Sequence, residues 1–255
     1  MQTAIVRRGA VAASAVSLAL LLAACGGEDG TKDSKVDKAG GEGTKQSAPA
    51  KSQAELEKLI VAQTDLKGHS VKTPLPAELK DATTATVDKN ECATLNEVLV
   101  IGAPGAEGAL AARQTSRTPG SEPATGTSDE KAQAALEALK SASINLLTLG
   151  SYADADAAGK AMADLKKSAE SCASGFTNTV TTEKTKFTKI APGSYKGGDE
   201  ALAYTVTAET GEGPVETEVV VVRKGTEIFS AHTVSMSGKA AQPLDILEAQ
   251  LKKLG

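Results

Sequence analysis

The chain has 255 residues and a formal net charge of −4, with 40% hydrophobic residues, 2% aromatic residues and no tryptophan. This mildly acidic balance gives no electrostatic reason to expect nucleic acid or attraction to anionic headgroups. Three tyrosines (Tyr152, Tyr195, Tyr204) and three phenylalanines (Phe176, Phe187, Phe229) are also too sparse for the stacking faces of sugar-binding modules or single-strand nucleic-acid platforms.

At the amino terminus, Arg7 and Arg8 precede an apolar run from Gly9 to Ala24 that ends at Cys25. A charged start, an apolar middle and small residues at the end are the anatomy of a signal peptide. The run is shorter than the roughly 20 apolar residues of a membrane-spanning helix. Leu22-Ala23-Ala24-Cys25 resembles the bacterial lipobox. Residues 1–24 are therefore expected to be removed, leaving Cys25 as the acylated (diacylglycerol, palmitate) first residue of a lipoprotein. Arg7-Arg8 is too common a pair to choose between the general secretory and twin-arginine routes. Removing residues 1–24 removes two positive and no negative charges, so −4 becomes −6. Attachment to the cell membrane, on its extracytoplasmic face, then rests on acyl chains, at roughly 0.8 kcal/mol per buried methylene.

Residues 25–51 are mostly Gly, Ser, Lys, Asp and Glu, the composition of a disordered tether. Residues 52–255 have the length of a single domain. Ser52-Gln53-Ala54-Glu55 reads as a capping box, opening a helix with Leu56, Leu59 and Ile60 on one face. The stretch from Ala111 to Thr127 reads as a long loop. Thr127-Ser128-Asp129-Glu130 is a second capping box, followed by a stripe of Ala132, Ala135, Leu136 and Leu139. Ile144 to Leu149 is a short strand. Ser151 and Asp154 open the longest helix, with Ala155, Ala158, Met162, Leu165, Ala169 and Cys172 along one side and Gly175 as a stop.

Phe176 to Ile190 supplies one or two further strands. Leu202, Tyr204 and Val206 alternate with smaller or polar residues, as in a strand with one buried face. Val215–Val222 and Ile228–Met236 flank Arg223-Lys224-Gly225-Thr226 as a hairpin. A last helix has Pro243 in its first turn and a stripe of Leu244, Leu247, Leu251 and Leu254. Strands joined by short turns predict an α+β domain, an antiparallel sheet with helices packed mainly on one face. With Cys25 taken by lipid, Cys92 and Cys172 are left as an exported pair, expected to form one disulfide.

No catalytic constellation emerges. The only histidines are His69, expected in a loop, and His232, expected as a satisfied structural residue in a strand. Neither forms a zinc spacing with the cysteines, so no metal and no cofactor are expected. Gly-x-Ser-x-Gly is absent. Ser128-Asp129-Glu130-Lys131 matches Ser-x-x-Lys without its partner motifs, and capping explains its serine better. Gly102-Ala103-Pro104-Gly105-Ala106-Glu107-Gly108 fits no nucleotide pattern. Asp154 and Asp156 point different ways on a helix.

Several segments carry a family resemblance: Leu59-Ile60, Thr64-Asp65-Leu66-Lys67-Gly68, Glu91-Cys92-Ala93, Ser151-Tyr152, the alanine-rich helix ending in Cys172, Gly198-Asp199-Glu200, and Val219 to Arg223 leading to Gly225. In this order, over roughly residues 52–240, the chain resembles actinobacterial surface lipoproteins and the extracellular sensor domain of the mycobacterial serine/threonine kinase PknH. The resemblance implies an antiparallel sheet backed by helices, a groove for an unidentified ligand, and a disulfide tying the loop before the sheet to the long helix. That kinase ectodomain has two disulfides, whereas this chain can form one. No catalytic or ligand residue carries over.

The expected function is a non-enzymatic binding or sensor domain for an unidentified envelope ligand or protein partner. The alternative is a carrier of a lipid or other apolar molecule. A cell-wall hydrolase lacks its motifs, and a two-lobed solute-binding protein needs more chain. Ligand contacts are expected from hydroxyls on strand faces, such as Thr205 and Thr207, or from the loop of Gly197 to Glu200.

Overall fold

The computed structural model describes residues 49–77, 79, 84–106, 108–117, 127–133, 142–235 and 240–255. The strands are β1 (His69–Lys72), β2 (Thr86–Val87), β3 (Leu110–Arg117), β4 (Ser143–Ser151), β5 (Phe176–Val180), β6 (Glu183–Pro192), β7 (Glu200–Thr210), β8 (Gly213–Lys224) and β9 (Glu227–Ser235). Among the described residues these nine form one sheet in the order β1-β3-β4-β9-β8-β7-β6-β5-β2. Each neighbouring pair is antiparallel. The helices are α1 (Gln53–Leu59), α2 (Ala93–Ile101), α3 (Ala155–Ser171) and α4 (Leu244–Leu254).

Two cores lie on opposite sides of this sheet, and β8 divides its side chains between them. Val219 and Val221 join the first core with Leu95 and Val98 of α2 and with Met162 and Leu165 of α3. Val220 and Val222 join the second with Leu56 of α1 and with Ile246 and Leu247 of α4. Successive strand residues point to opposite faces, so a run of four valines, all 0% exposed, is what a strand covered on both sides requires.

The α+β class, the antiparallel sheet and the single disulfide agree with the sequence-based expectation. The helices do not keep mainly to one face: α2 and α3 cover the first, α1 and α4 the second. The hairpin is β8–β9, and Phe176 to Ile190 divides into β5 and β6. A second correction concerns the supposed loop from Ala111. Residues through Arg117 belong to β3, which pairs with β1 on one side and β4 on the other. Residues 118–126 lie outside the described residues, as do Met236, Ala135, Leu136, Leu139, Cys25 and the expected signal peptide. The expected tether is described only at its carboxyl end, residues 49–51.

Candidate functional site

The 3-10 turn Asn90–Cys92 leads directly into α2. Cys92 is bonded to Cys172 at the carboxyl end of α3, with Cα atoms 5.8 Å apart. Ser168 of α3 strengthens the same junction. Its hydroxyl donates to the Glu91 carbonyl at 2.6 Å and accepts from the Leu95 N–H at 3.2 Å. Helix α2 is thereby held on α3, with Leu95 and Val98 wholly buried.

Asn96, Glu97 and Val100 of α2 form one wall of a groove of about 690 Å³. Thr86 and Val87 of β2 lie on another side, and Gly102, Ala103, Gly105, Ala106, Gly108 and Leu110 close it. This volume falls within the roughly 300–1,000 Å³ of small-molecule sites. Asn96 is only 4% exposed, and its Oδ1 has no hydrogen-bond partner. A buried amide oxygen left unpaired costs about 1–3 kcal/mol, which a ligand donor would offset.

The glycine-rich segment is held by close packing. The Gly102 carbonyl accepts from the Ser230 and Thr148 hydroxyls at 3.3 and 3.4 Å. Tyr152 donates its hydroxyl to the Pro104 carbonyl at 2.6 Å, and burial pushes that phenol far above its ordinary range. The Gly105 N–H donates to the Glu97 carboxylate at 3.2 Å. At Gly102 a Cβ would stand 2.5 Å from the Glu97 carbonyl oxygen. At Gly150 of β4 it would stand 2.7 Å from the Ala103 methyl. The glycines serve this tight crossing of α2, loop and sheet. Among the described residues, Glu97 is the one titratable side chain on the groove lining, and its carboxylate already accepts from Gly105. That lining is suited to recognition by amide and backbone groups.

The residues singled out by sequence are dispersed. His69 opens β1 and is buried rather than in a loop; its Nε2 lies 2.9 Å from the Asp245 carboxylate. Burial raises the Asp245 carboxyl, but the His69 hydrogen bond and the charges of His69 and Arg117 outweigh it and hold the group below its usual range. His232 is buried as expected, yet it is not satisfied, because its Nε2 has no partner. Burial lowers that imidazole to about 4. The cap at the second capping box belongs to Thr127, whose hydroxyl accepts from the Glu130 N–H at 3.4 Å and whose own N–H donates to the Glu130 carboxylate at 2.7 Å. Ser128 is the residue after that cap. Asp154 caps α3 by accepting from the Ala157 N–H at 2.8 Å, with Asp156 in the first turn.

Several of the expected ligand contacts are engaged internally. Thr205 donates to the Glu218 carboxylate at 2.5 Å across the β7–β8 pair. Thr207, on the same strand, lies opposite Glu216 in the β7–β8 ladder, and its carbonyl accepts from the Thr188 hydroxyl at 3.4 Å. In the loop of Gly197 to Glu200, Asp199 accepts from the Gly225 N–H at 2.7 Å, and Glu200 lies 3.5 Å from Arg223. That loop braces the β8–β9 turn. Asn96 escaped the sequence reading. The signal for it was an amide set between Leu95 and Val98, just after a cysteine predicted to be bonded.

Among the described residues, no group of three or more His, Cys, Asp or Glu side chains is placed to hold a metal ion, and no helix is long and apolar enough to cross a membrane. The family model for the PknH-like extracellular domain matches residues 76–253. Among solved structures, the crystal structure of the extracellular domain of PknH from Mycobacterium tuberculosis has a similar fold, with a TM-score of 0.51 and 12% sequence identity over 81% of this chain and 97% of that chain. The search of curated proteins finds no match.

Proposed function

The chain belongs to the family of PknH-like extracellular domains, and from that premise we propose that it is a non-enzymatic binding or sensor domain facing the cell envelope. In this reading residues 1–24 direct export, lipid on Cys25 holds the protein at the outer face of the cell membrane, and residues 26–51 tether the domain of residues 52–255. The ligand, an envelope molecule or a neighbouring protein, occupies the groove between α2 and the Gly102–Leu110 segment. The observation that carries this is the unpartnered Oδ1 of the buried Asn96 in a groove of ligand size. Replacing Cys25 by Ser is expected to abolish acylation and release the protein from the membrane fraction.

The test of the groove is retention of envelope components by the full-length chain, followed by mass spectrometry and an assay for turnover. Retention without turnover, weakened about fivefold or more by Asn96→Leu, is the expected result, the size one buried hydrogen bond supplies. Undiminished retention by the folded variant, or turnover of the retained compound, would sink the reading. A second reading, a carrier of a lipid or other apolar molecule, is favoured by a separate apolar pocket between Leu99 of α2 and the strands.

A further inference from the structure

Leu99 of α2 lines a second pocket, of about 210 Å³, walled by Leu146 of β4, Phe187 of β6 and Val206 of β7. Its mouth carries Ile144 and Val234, which are paired across the β4–β9 ladder and are 42% and 40% exposed. Isolated surface hydrophobics are ordinary, but an adjacent pair rimming an apolar hollow marks a place where apolar matter is taken up. An apolar cavity of about 150 Å³ already holds a benzene-sized guest, so this one accommodates a longer chain or a larger ring. Among the described residues, no charged side chain lines it. An ionised ligand would therefore leave its charge desolvated and unpaired, at high cost.

One buried polar group breaks the apolar lining besides the Thr217 hydroxyl. His232, on β9 opposite Val219, is 7% exposed and lines the pocket, and its buried imidazole Nε2 has no hydrogen-bond partner among the described residues. In a neutral imidazole this nitrogen is either an acceptor or a donor, according to tautomer. A hydroxyl both donates and accepts, so it matches either form, whereas an ether or a halide can only accept.

We infer that this pocket binds an uncharged apolar chain or ring bearing a hydroxyl, with His232 taking the hydroxyl's hydrogen bond. The inference rests on the apolar-ligand reading and does not use the groove. The chain has two histidines, so labelling with ring-nitrogen-15 histidine gives one probe in the pocket and one control. His69, bonded to Asp245, supplies the control. Full-length protein is titrated with hexanol, chlorohexane and hexanoate.

The expected result is a saturable shift of the His232 ring resonance with hexanol, none at His69, and hexanol affinity about fivefold or more above that of either comparator. Val234→Glu, at an exposed position that leaves the core intact, abolishes the shift. His232→Leu removes the preference for hexanol over chlorohexane. An unmoved His232 resonance, equal affinity for all three probes, or hexanol binding untouched by Val234→Glu overturns the site. If Asn96→Leu abolishes hexanol binding instead, the probe sits in the groove, and this second site falls while the groove reading stands.

Discussion

On the second face of the sheet, beneath α1 and α4, the wholly buried Gln250 accepts from the Val61 N–H and donates to the Leu59 carbonyl, both at 2.9 Å. Nearby, Asn145 bonds to Thr115 and Thr233 at 3.3 and 2.8 Å. On the first face, beneath α2 and α3, Asn96 and His232 are nearly as deeply buried, but each leaves a polar atom unmatched. Among the described residues, the exception on the second face is His69 Nδ1, and that ring is tied to α4 through Asp245. Burying a polar atom without a partner opposes folding. A face that retains two of them beside hollows has the features of a recognition surface, while the opposite face, with its amides paired, has those of a scaffold.

The largest way to break the comparison is to release α2. Closing the loop between Cys92 and Cys172, 80 residues apart in sequence, contributes about 4 kcal/mol on the chain-entropy model. Reduction should lower unfolding stability by about that amount. It should also raise amide exchange in residues 93–101 well before residues 53–59 and 244–254. Uniform loosening of both faces would show that they are one cooperative unit and erase the distinction.

Acid should strike the first face next. His232 is held near 4 by burial, against 6.5 for an ordinary imidazole, so the unfolded chain takes up the proton first as the pH falls. Stability that is complete above pH 6.5 should therefore decline through that window towards pH 4, by about 3 kcal/mol if this group acts alone. Chemical denaturation of the wild type and of His232→Leu across the window checks this, and parallel pH profiles would remove His232 as the cause. A smaller effect is expected on the second face. Gln250→Ala strands the Val61 N–H and the Leu59 carbonyl and should cost about 2 kcal/mol, with binding to the folded protein unchanged. Weakened binding there would mean that the scaffold face takes part in recognition.

Much of the scaffold is legible in the sequence because its signals are local. Asp154 and the three-and-four spacing from Ala158 to Ala169 specify α3, and Gly225 sits in the turn that joins two apolar strands as β8 and β9. With Cys25 set aside as an expected lipid site, Cys92 and Cys172 are the pair that the sequence offers, and they are bonded. The first-face site is harder to read because its determinants are distant. Strand β3 alternates poorly, and its Thr115 is buried by pairing with Asn145 of β4. Helix α2 has no side-chain cap to announce it. The glycines of residues 102–108 drew attention for phosphate chemistry, whereas Gly102 and Gly150 are explained by contacts with Glu97 and Ala103. Asn96 and His232 look like ordinary residues until the neighbours that fail to satisfy them are in place.

The most direct test of the recognition face is amide exchange of the full-length chain with and without fractionated envelope extract, run beside an assay for turnover. No turnover is expected, with new protection concentrated in α2 and residues 102–110, while residues 53–66 and 244–254 stay unchanged. Protection confined to those scaffold segments, or turnover abolished by His232→Ala in a protein that remains folded, would contradict it.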